Sequence, residues 1–356
     1  MRKFLLLALT FGVVWGLVGC SRERINEVVS LEHHVVDSLD LSLVLHPVRI
    51  ISFRDSVLLG RVKKVMCSQE GIFVWSGDSI NLFSEEGEPL ARIGRKGRGP
   101  GEYTMITDFT VSDGIVVVLD QFKRILTYDS RGNNLRVQDI PFYAASCVIV
   151  DDNILLSSAY QDRVDKFHVY SLSELKETAS FEKIDEHEMT YRHFMTQNNF
   201  FIDRAGRLLF HEPMNNKVYR LLTDRLDVAF SFDLWGKTPP ESFWSHSYGN
   251  VMEIVKALNA EGYVYGTSFF AYDKRAYVMT YSDEGGMKMA LQDQNTGTSL
   301  QSPRLFFKDL TTSFAIPEVA MTFNSYKEVL FVIPAQCFED TTLRQSANPV
   351  LVVSSF

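Results

Sequence analysis

The segment Ile93–Tyr103 concentrates residue types that could bind a charged ligand. It contains four glycines and one proline. Its charged and aromatic residues are Arg95, Lys96, Arg98, Glu102 and Tyr103. Glycine adopts positive φ at little cost and proline fixes φ, so the composition predicts a loop with a defined path. Cations on such a loop could bind carboxylate or phosphate groups, although the same glycines could serve only to turn the chain.

The sequence carries no recognisable catalytic motif. Gly97, Gly99 and Gly101 do not have the spacing of a dinucleotide-binding loop, and no Lys-Ser or Lys-Thr pair follows them to make a Walker A loop. Neither the GxSxG motif nor the HExxH motif occurs. His187 and His193 are too far apart along a loop-like stretch to indicate a metal site. We predict no catalytic residue, no cofactor and no bound metal.

The first 40 residues indicate export and lipid attachment. Arg2 and Lys3 precede an apolar run that is too short for a comfortable membrane span, which is typical of a signal peptide. The run ends in Leu-Val-Gly-Cys, the pattern of a bacterial lipobox with Cys20 as the acylated residue. We predict a signal peptide over residues 1–19, a lipidated tether over 20–40 and a single domain over 41–356.

Composition limits the partners and the fold. The net charge is −8, and removal of the leader leaves 34 basic and 44 acidic residues, a net charge of −10, which excludes nucleic acid as a favoured partner. Aromatic residues make up 12% of the chain, which favours β-structure. Cys67, Cys147 and Cys337 form no CxxC pair, and we interpret them as small hydrophobic residues rather than as metal ligands or a disulfide framework.

Short apolar strands separated by polar turns recur along the chain. In the clearest copy, the turn Ser112–Gly114 joins two apolar runs, and Asp-Gly between such runs indicates a hairpin. The first-hairpin turns of the six copies lie near Gly71, Gly114, Asn153, Gly206, Arg275 and Ser325. Six four-stranded units predict an all-β, six-bladed β-propeller of four-stranded antiparallel blades, with a two-sheet β-sandwich as the alternative.

Two details of this propeller follow from the apolar pattern. Residues 248–260 have the spacing of an amphipathic helix, so we predict one helical insertion there. The blade that closes the ring could be completed by Val350–Val353 or by Val48–Phe53, and the sequence leaves both possibilities open.

The lipobox, the glycine-rich segment and the motifs Asp113–Asp120, Arg124–Gly132 and Asn216–Leu221 resemble the six-bladed β-propeller lipoproteins of Bacteroidetes. That family is similar in architecture to NHL-type propellers. The resemblance implies the propeller fold and lipid anchoring in the cell envelope, on the outer membrane, with the periplasmic or surface side left open. It implies no particular activity.

In a propeller, the connections between successive blades share a face with the connections between second and third strands. On this face we place Arg95, Lys96, Arg98, Glu102 and Tyr103 of the glycine-rich segment together with further candidates from later repeats. These further candidates are Lys123, Arg124, Arg163, Tyr191, Arg192 and His193. The concentration of cations and aromatic rings predicts a non-enzymatic binding face for a glycan, an anionic small molecule or an envelope protein.

A calcium-dependent propeller hydrolase, such as a lactonase or esterase, is the alternative function. Such a site needs hard oxygen ligands that converge on the central channel. At the predicted innermost strands only Asp108, Asn198 and Asn199 could supply them. We therefore favour the binding function.

Overall fold

The structure is a computed structural model in which the described chain forms seven sheets arranged as a β-propeller. It describes residues 27–30, 34–162, 164–186, 189, 200–202, 206–212, 215–222, 224–265, 270–273, 276–293, 295–316, 320–323 and 328–356. The predicted signal peptide, including Cys20, and the candidates Arg163, Tyr191, Arg192 and His193 lie outside these residues, as do Asn198 and Asn199.

The first three strands of the described chain pair with strands from the C-terminal half of the sequence. They are β1 (Glu27–Ser30), β2 (Leu39–Asp40) and β3 (His46–Ser52), with a short 3₁₀ helix at Leu41–Leu43 between the last two. The described part of the predicted tether is therefore paired with the propeller.

The first three blades are four-stranded antiparallel meanders, as the repeats predict. Blade 1 comprises β4 (Val62–Ser68), β5 (Gly71–Ser76), β6 (Ser79–Phe83) and β7 (Pro89–Ile93). Blade 2 comprises β8 (Ile106–Ser112), β9 (Ile115–Asp120), β10 (Arg124–Asp129) and β11 (Asn134–Asp139). Blade 3 comprises β12 (Ala144–Val150), β13 (Asn153–Ser158), β14 (Asp165–Ser171) and β15 (Glu177–Lys183).

Blades 4 and 5 flank the predicted helical insertion. Blade 4 contains β16 (Phe200–Ile202), β17 (Leu208–His211), β18 (Lys217–Leu221) and β19 (Leu226–Asp233), and β1 adds to its outer edge in parallel with β19. Two helices follow, α1 (Glu241–Trp244) and α2 (Val251–Ala260). Blade 5 contains β20 (Phe270–Asp273), β21 (Ala276–Asp283), β22 (Gly286–Asp293) and β23 (Ser299–Ser302).

The helix α2 begins three residues after the predicted start because Asn250 caps it. The Asn250 side chain accepts hydrogen bonds from the backbone N–H groups of Met252 and Glu253, which satisfies donors that have no partner inside the helix. Ile254 and Leu258 face inward and are buried, in agreement with the apolar spacing.

The prediction of six blades is wrong, because the structure has a seventh sheet. This small sheet, blade 6, consists of β24 (Arg304–Phe306) and β25 (Phe314–Ala315) with β2. A 3₁₀ helix over Lys308–Leu310 connects its two later strands. The sequence pattern missed it because each strand has only two or three residues and one of them comes from the N-terminal segment.

Blade 7 closes the ring with strands from both ends of the described chain. It contains β26 (Ala320–Phe323), β27 (Glu328–Ile333) and β28 (Val350–Ser355), and β3 pairs with β28 as the outermost strand. Both sequence segments considered for closure are therefore in the same blade. A 3₁₀ helix over Ala335–Cys337 and the helix α3 (Thr341–Arg344) connect β27 to β28.

Each antiparallel blade places its connections at two opposite ends. The turns between first and second strands and between third and fourth strands lie on one face, which we call the turn face. The connections between second and third strands, and between successive blades, lie on the opposite face, which we call the loop face. Ile93–Tyr103, which we call the glycine loop, joins β7 to β8 and so lies on the loop face.

The hydrophobic core is divided into layers between neighbouring blades. Phe73 and Trp75 of blade 1, for example, pack with Phe109 and Val118 of blade 2. Ile51 of β3 packs in the layer between blades 7 and 1, so the N-terminal segment contributes to the core as well as to the rim. Because every blade buries both faces against its neighbours, the ring depends on all of its sheets.

A buried ion pair joins the innermost strands of the first three blades. The Lys64 ammonium group of β4 lies 2.8 Å from a carboxylate oxygen of Asp108 in β8, and it also donates a hydrogen bond to the backbone carbonyl of Phe109. The second carboxylate oxygen of Asp108 accepts the backbone N–H of Cys147 in β12 at 2.9 Å. The Lys64 and Asp108 side chains are 8% and 5% exposed, so water solvates neither charge well and each depends on the other.

We predict that Asp108→Ala lowers the free energy of unfolding by about 3–5 kcal/mol, because it leaves the Lys64 ammonium buried without its carboxylate. Chemical denaturation monitored by circular dichroism measures the change. The exposed pair of Lys96 and Asp78 provides the control, since Asp78→Ala removes a salt bridge whose partners are 52% and 69% exposed and should leave stability near that of the wild type. Equal effects of the two substitutions would contradict the proposed role of burial.

Candidate functional site

The glycine loop has a fixed backbone path that its glycines make possible. Gly101 has a φ of 71°, a region in which residues with a Cβ are strained. At Gly97, a Cβ would overlap the Glu102 carboxylate, so the backbone can approach that side chain only without one. The loop also hydrogen-bonds to itself: the N–H of Tyr103 donates to the carbonyl of Arg95 at 3.1 Å, and that of Gly97 donates to the carbonyl of Tyr103 at 2.9 Å.

Three predicted site residues hold this loop in place. The Glu102 carboxylate accepts the backbone N–H of Gly99 at 2.8 Å, and Tyr103 is 1% exposed within the core between blades 1 and 2. Arg124 donates to the backbone carbonyl of Glu102 at 2.8 Å and pairs with Asp120 at 2.5 Å. These contacts give Glu102, Tyr103 and Arg124 structural roles and direct them away from a ligand.

The remaining cations of the glycine loop are on its outside. Arg95, Lys96 and Arg98 are all exposed. The Lys96 ammonium group lies 2.8 Å from Asp78, and this contact lowers the pKa of the Asp78 carboxyl group. Among the described residues, the guanidinium groups of Arg95 and Arg98 form no ion pair or hydrogen bond. The glycine loop therefore presents, on a hydrogen-bonded backbone, two guanidinium groups that have no partner in the described part of the chain.

Lys123 lies on the same face, in the connection between β9 and β10. Its ammonium group is 4.0 Å from the centroid of the Tyr143 ring, within the range of a cation–π contact. Tyr143 belongs to the connection between blades 2 and 3, and both side chains are half-buried. The sequence predicted Lys123 as a site residue but did not single out Tyr143.

A buried cluster of charged and polar side chains lies between blades 3 and 4. The Lys166 ammonium group lies 3.0 Å from the Glu212 carboxylate, which the Tyr160 hydroxyl also contacts. Burial raises the pKa of Glu212 to about 7, and a hydrogen bond from Asn215 opposes that shift. No local pattern marks this cluster, because its residues come from separate blades and meet only in the fold.

The alternative calcium site finds no support at Asp108. Both of its carboxylate oxygens are engaged, one by the Lys64 ammonium group and the other by the Cys147 N–H. Within the described ranges, no group of three or more His, Cys, Asp or Glu side chains has the arrangement of a metal site. The described helices also include none that is long and apolar enough to cross a bilayer.

A known protein family matches most of the chain. A family model described as domain of unknown function DUF4934 matches residues 27–354. The chain belongs to the DUF4934 family. It matches none of the curated proteins with which it was compared.

Solved structures share the fold of this DUF4934 chain. A Bacteroides fragilis protein described as exported has a TM-score of 0.73 at 18% identity, over 92% of this chain and 99% of that one. A member of the DUF4221 family from Bacteroides vulgatus has a TM-score of 0.53 at 12% identity, over 87% of this chain and 97% of that one. The predicted likeness to Bacteroidetes propellers is confirmed for the β-propeller fold but not for the number of blades, and its lipoprotein part stays a prediction.

We predict that Gly101→Ala lowers the free energy of unfolding of this DUF4934 protein by about 1–3 kcal/mol, whether or not a ligand is present. Alanine is strained at this φ, and its Cβ would lie 2.6 Å from the Asn134 side chain. Gly60→Ala is the matched control, since it has open space around it and no positive φ. Urea denaturation of both variants measures the difference, and equal stabilities would show that the loop path is not fixed as described.

Proposed function

We propose that this protein is an envelope-anchored, non-enzymatic binding propeller whose loop face captures an anionic ligand. The observation that carries the proposal is the pair Arg95 and Arg98, two exposed guanidinium groups without partners among the described residues. Both project from a loop whose backbone is held by Glu102, Tyr103 and Arg124.

The rigidity of the loop matters for affinity. A ligand that binds a preformed loop does not have to order its backbone, so more of the interaction free energy contributes to binding. Guanidinium groups bind carboxylate or phosphate with two parallel hydrogen bonds. Local positive charge on a chain with a net charge of −8 also gives an anion a preferred place to dock.

Attachment to the envelope is the second part of the proposal. It rests on the apolar leader and the lipobox ending at Cys20, and the exported description of the Bacteroides fragilis relative agrees with it. The outer membrane is the expected location, with Cys20 as the acylated residue.

We predict that Arg95→Ala combined with Arg98→Ala weakens binding of an anionic ligand by at least about tenfold, because each charge-assisted hydrogen bond contributes about 1.5–3 kcal/mol. An array of acidic glycans and small organic anions, followed by titration calorimetry on the binders, measures the change. Thermal stability should be unchanged, since both side chains are exposed.

The control variant carries Lys176→Ala with Arg225→Ala, which removes the same charge from the exposed turns between the third and fourth strands of blades 3 and 4. It should bind as the wild type does. Equal loss in both double variants would indicate diffuse electrostatic attraction, and a wild-type protein that binds no anion on the array would refute the proposed function.

We predict that Cys20→Ser releases the protein from the membrane fraction, because each buried methylene group of an acyl chain contributes about 0.8 kcal/mol to anchoring. Metabolic labelling with a radioactive fatty acid and cell fractionation provide the measurement. Wild-type protein that is unlabelled and soluble would contradict the anchoring part of the proposal and leave the binding part intact.

A further inference from the structure

Two residues in the turn between β9 and β10 have a backbone conformation that is unfavourable for residues with side chains. Gln121 and Phe122 have φ values of 51° and 63°, and the N–H of Lys123 donates to the carbonyl of Asp120 at 3.1 Å. These are the features of a type I′ turn, in which Asn and Gly are the unstrained residues. A phenylalanine in this conformation costs conformational free energy, and such strain is concentrated at functional sites.

The strained turn places two aromatic rings and one cation together on the loop face. The rings of Phe122 and Tyr143 have centroids 6.4 Å apart, and the Lys123 ammonium group lies 4.0 Å from the Tyr143 centroid. All three side chains are half-buried, so each keeps part of its surface open to solvent. We call Phe122, Lys123 and Tyr143 the aromatic platform.

Backbone hydrogen bonds from both sides fix the aromatic platform. The carbonyl of Phe122 accepts the N–H of Ala144 at 2.7 Å, and the carbonyl of Tyr143 accepts the N–H of Ala159 at 2.7 Å. The N–H of Gln121 donates to the carbonyl of Met105, just beyond the glycine loop, at 2.9 Å. The aromatic platform is thus preformed and continuous with the segment that carries Arg95 and Arg98.

Two carboxylates in the adjoining connections have partners other than Lys123. Asp120 pairs with Arg124, and Asp162 accepts the backbone N–H of Tyr143 at 2.8 Å. Lys123 forms no salt bridge with any residue in the described ranges. An anionic group that reaches the platform therefore meets an ammonium group that has no ion-pair partner in the described part of the chain.

We propose that the aromatic platform is a subsite for an acidic saccharide. The C–H groups of a sugar ring pack against the solvent-open part of Phe122, while a sugar carboxylate pairs with Lys123, whose ammonium group already covers one face of Tyr143. This inference rests on the proposed function and specifies its ligand class: the glycine-loop guanidinium groups would bind further carboxylates of the same chain.

Titration calorimetry with a galacturonic acid trisaccharide tests the subsite, and the neutral galactose trisaccharide of the same linkage is the matched probe. Phe122→Gly should weaken binding of the acidic probe about five- to tenfold through loss of ring stacking. Lys123→Gln should weaken the acidic probe about tenfold and leave the neutral probe unchanged. Tyr143→Phe should bind as the wild type does, because it keeps the ring.

Thermal unfolding separates ligand binding from a purely structural role. Phe122→Gly and Phe122→Ala remove the same ring, and the glycine variant should have the higher melting temperature because glycine accepts the positive φ. Both should lose the same affinity. If affinity falls only in variants that unfold, the aromatic platform is structural and the inference is wrong.

Two outcomes overturn the subsite while leaving the proposed function standing. One is binding of the acidic trisaccharide that depends on Arg95 and Arg98 but not on Phe122 or Lys123. The other is binding of citrate or inorganic phosphate, on the same two arginines, by a protein that binds neither trisaccharide. Equal affinity for the acidic and neutral probes would overturn the assignment of an acidic sugar.

Discussion

The ion pair between Lys64 and Asp108 provides hydrogen-bond partners for backbone groups near the axis of the propeller. The innermost strand of each blade has one edge without a neighbouring strand, so its backbone N–H and C=O groups need other partners. Here the Lys64 ammonium group donates a hydrogen bond to the carbonyl of Phe109, and the Asp108 carboxylate accepts one from the N–H of Cys147. Two side chains thus connect three blades and satisfy polar groups that no apolar residue could satisfy.

The parts of the fold that could be predicted are those whose sequence signals lie close together along the chain. Blades 1 to 3 follow from hairpins such as the one at Asp113 and Gly114, because turn and strand signals lie within a few residues of each other. Blade 6 could not be predicted this way: its strands are very short, and β2 reaches it from about 265 residues away in the sequence. Only the packing of the whole chain brings them together.

The candidate site was likewise only partly predictable from the sequence. Glycine spacing predicts that a shaped loop lies at residues 93–103, but it does not say which side chains the loop uses for its own support. Glu102 and Tyr103 are used in this way, whereas Arg95 and Arg98 are not. Phe122 carries no sequence signal at all, because a positive φ at a phenylalanine is known only from the fold.

The direction of β1 has a consequence for how the propeller is displayed. Ser30 pairs with Asp233 at the end of β19 that leads into the next blade, so β1 runs toward the loop face and Glu27 lies nearer the turn face. If the N-terminal segment carries the anchor proposed above, that anchor would join the propeller at the turn-face end of β1. The proposed anion-binding surface would then face away from the anchor, where a polymeric ligand could reach it directly from solvent.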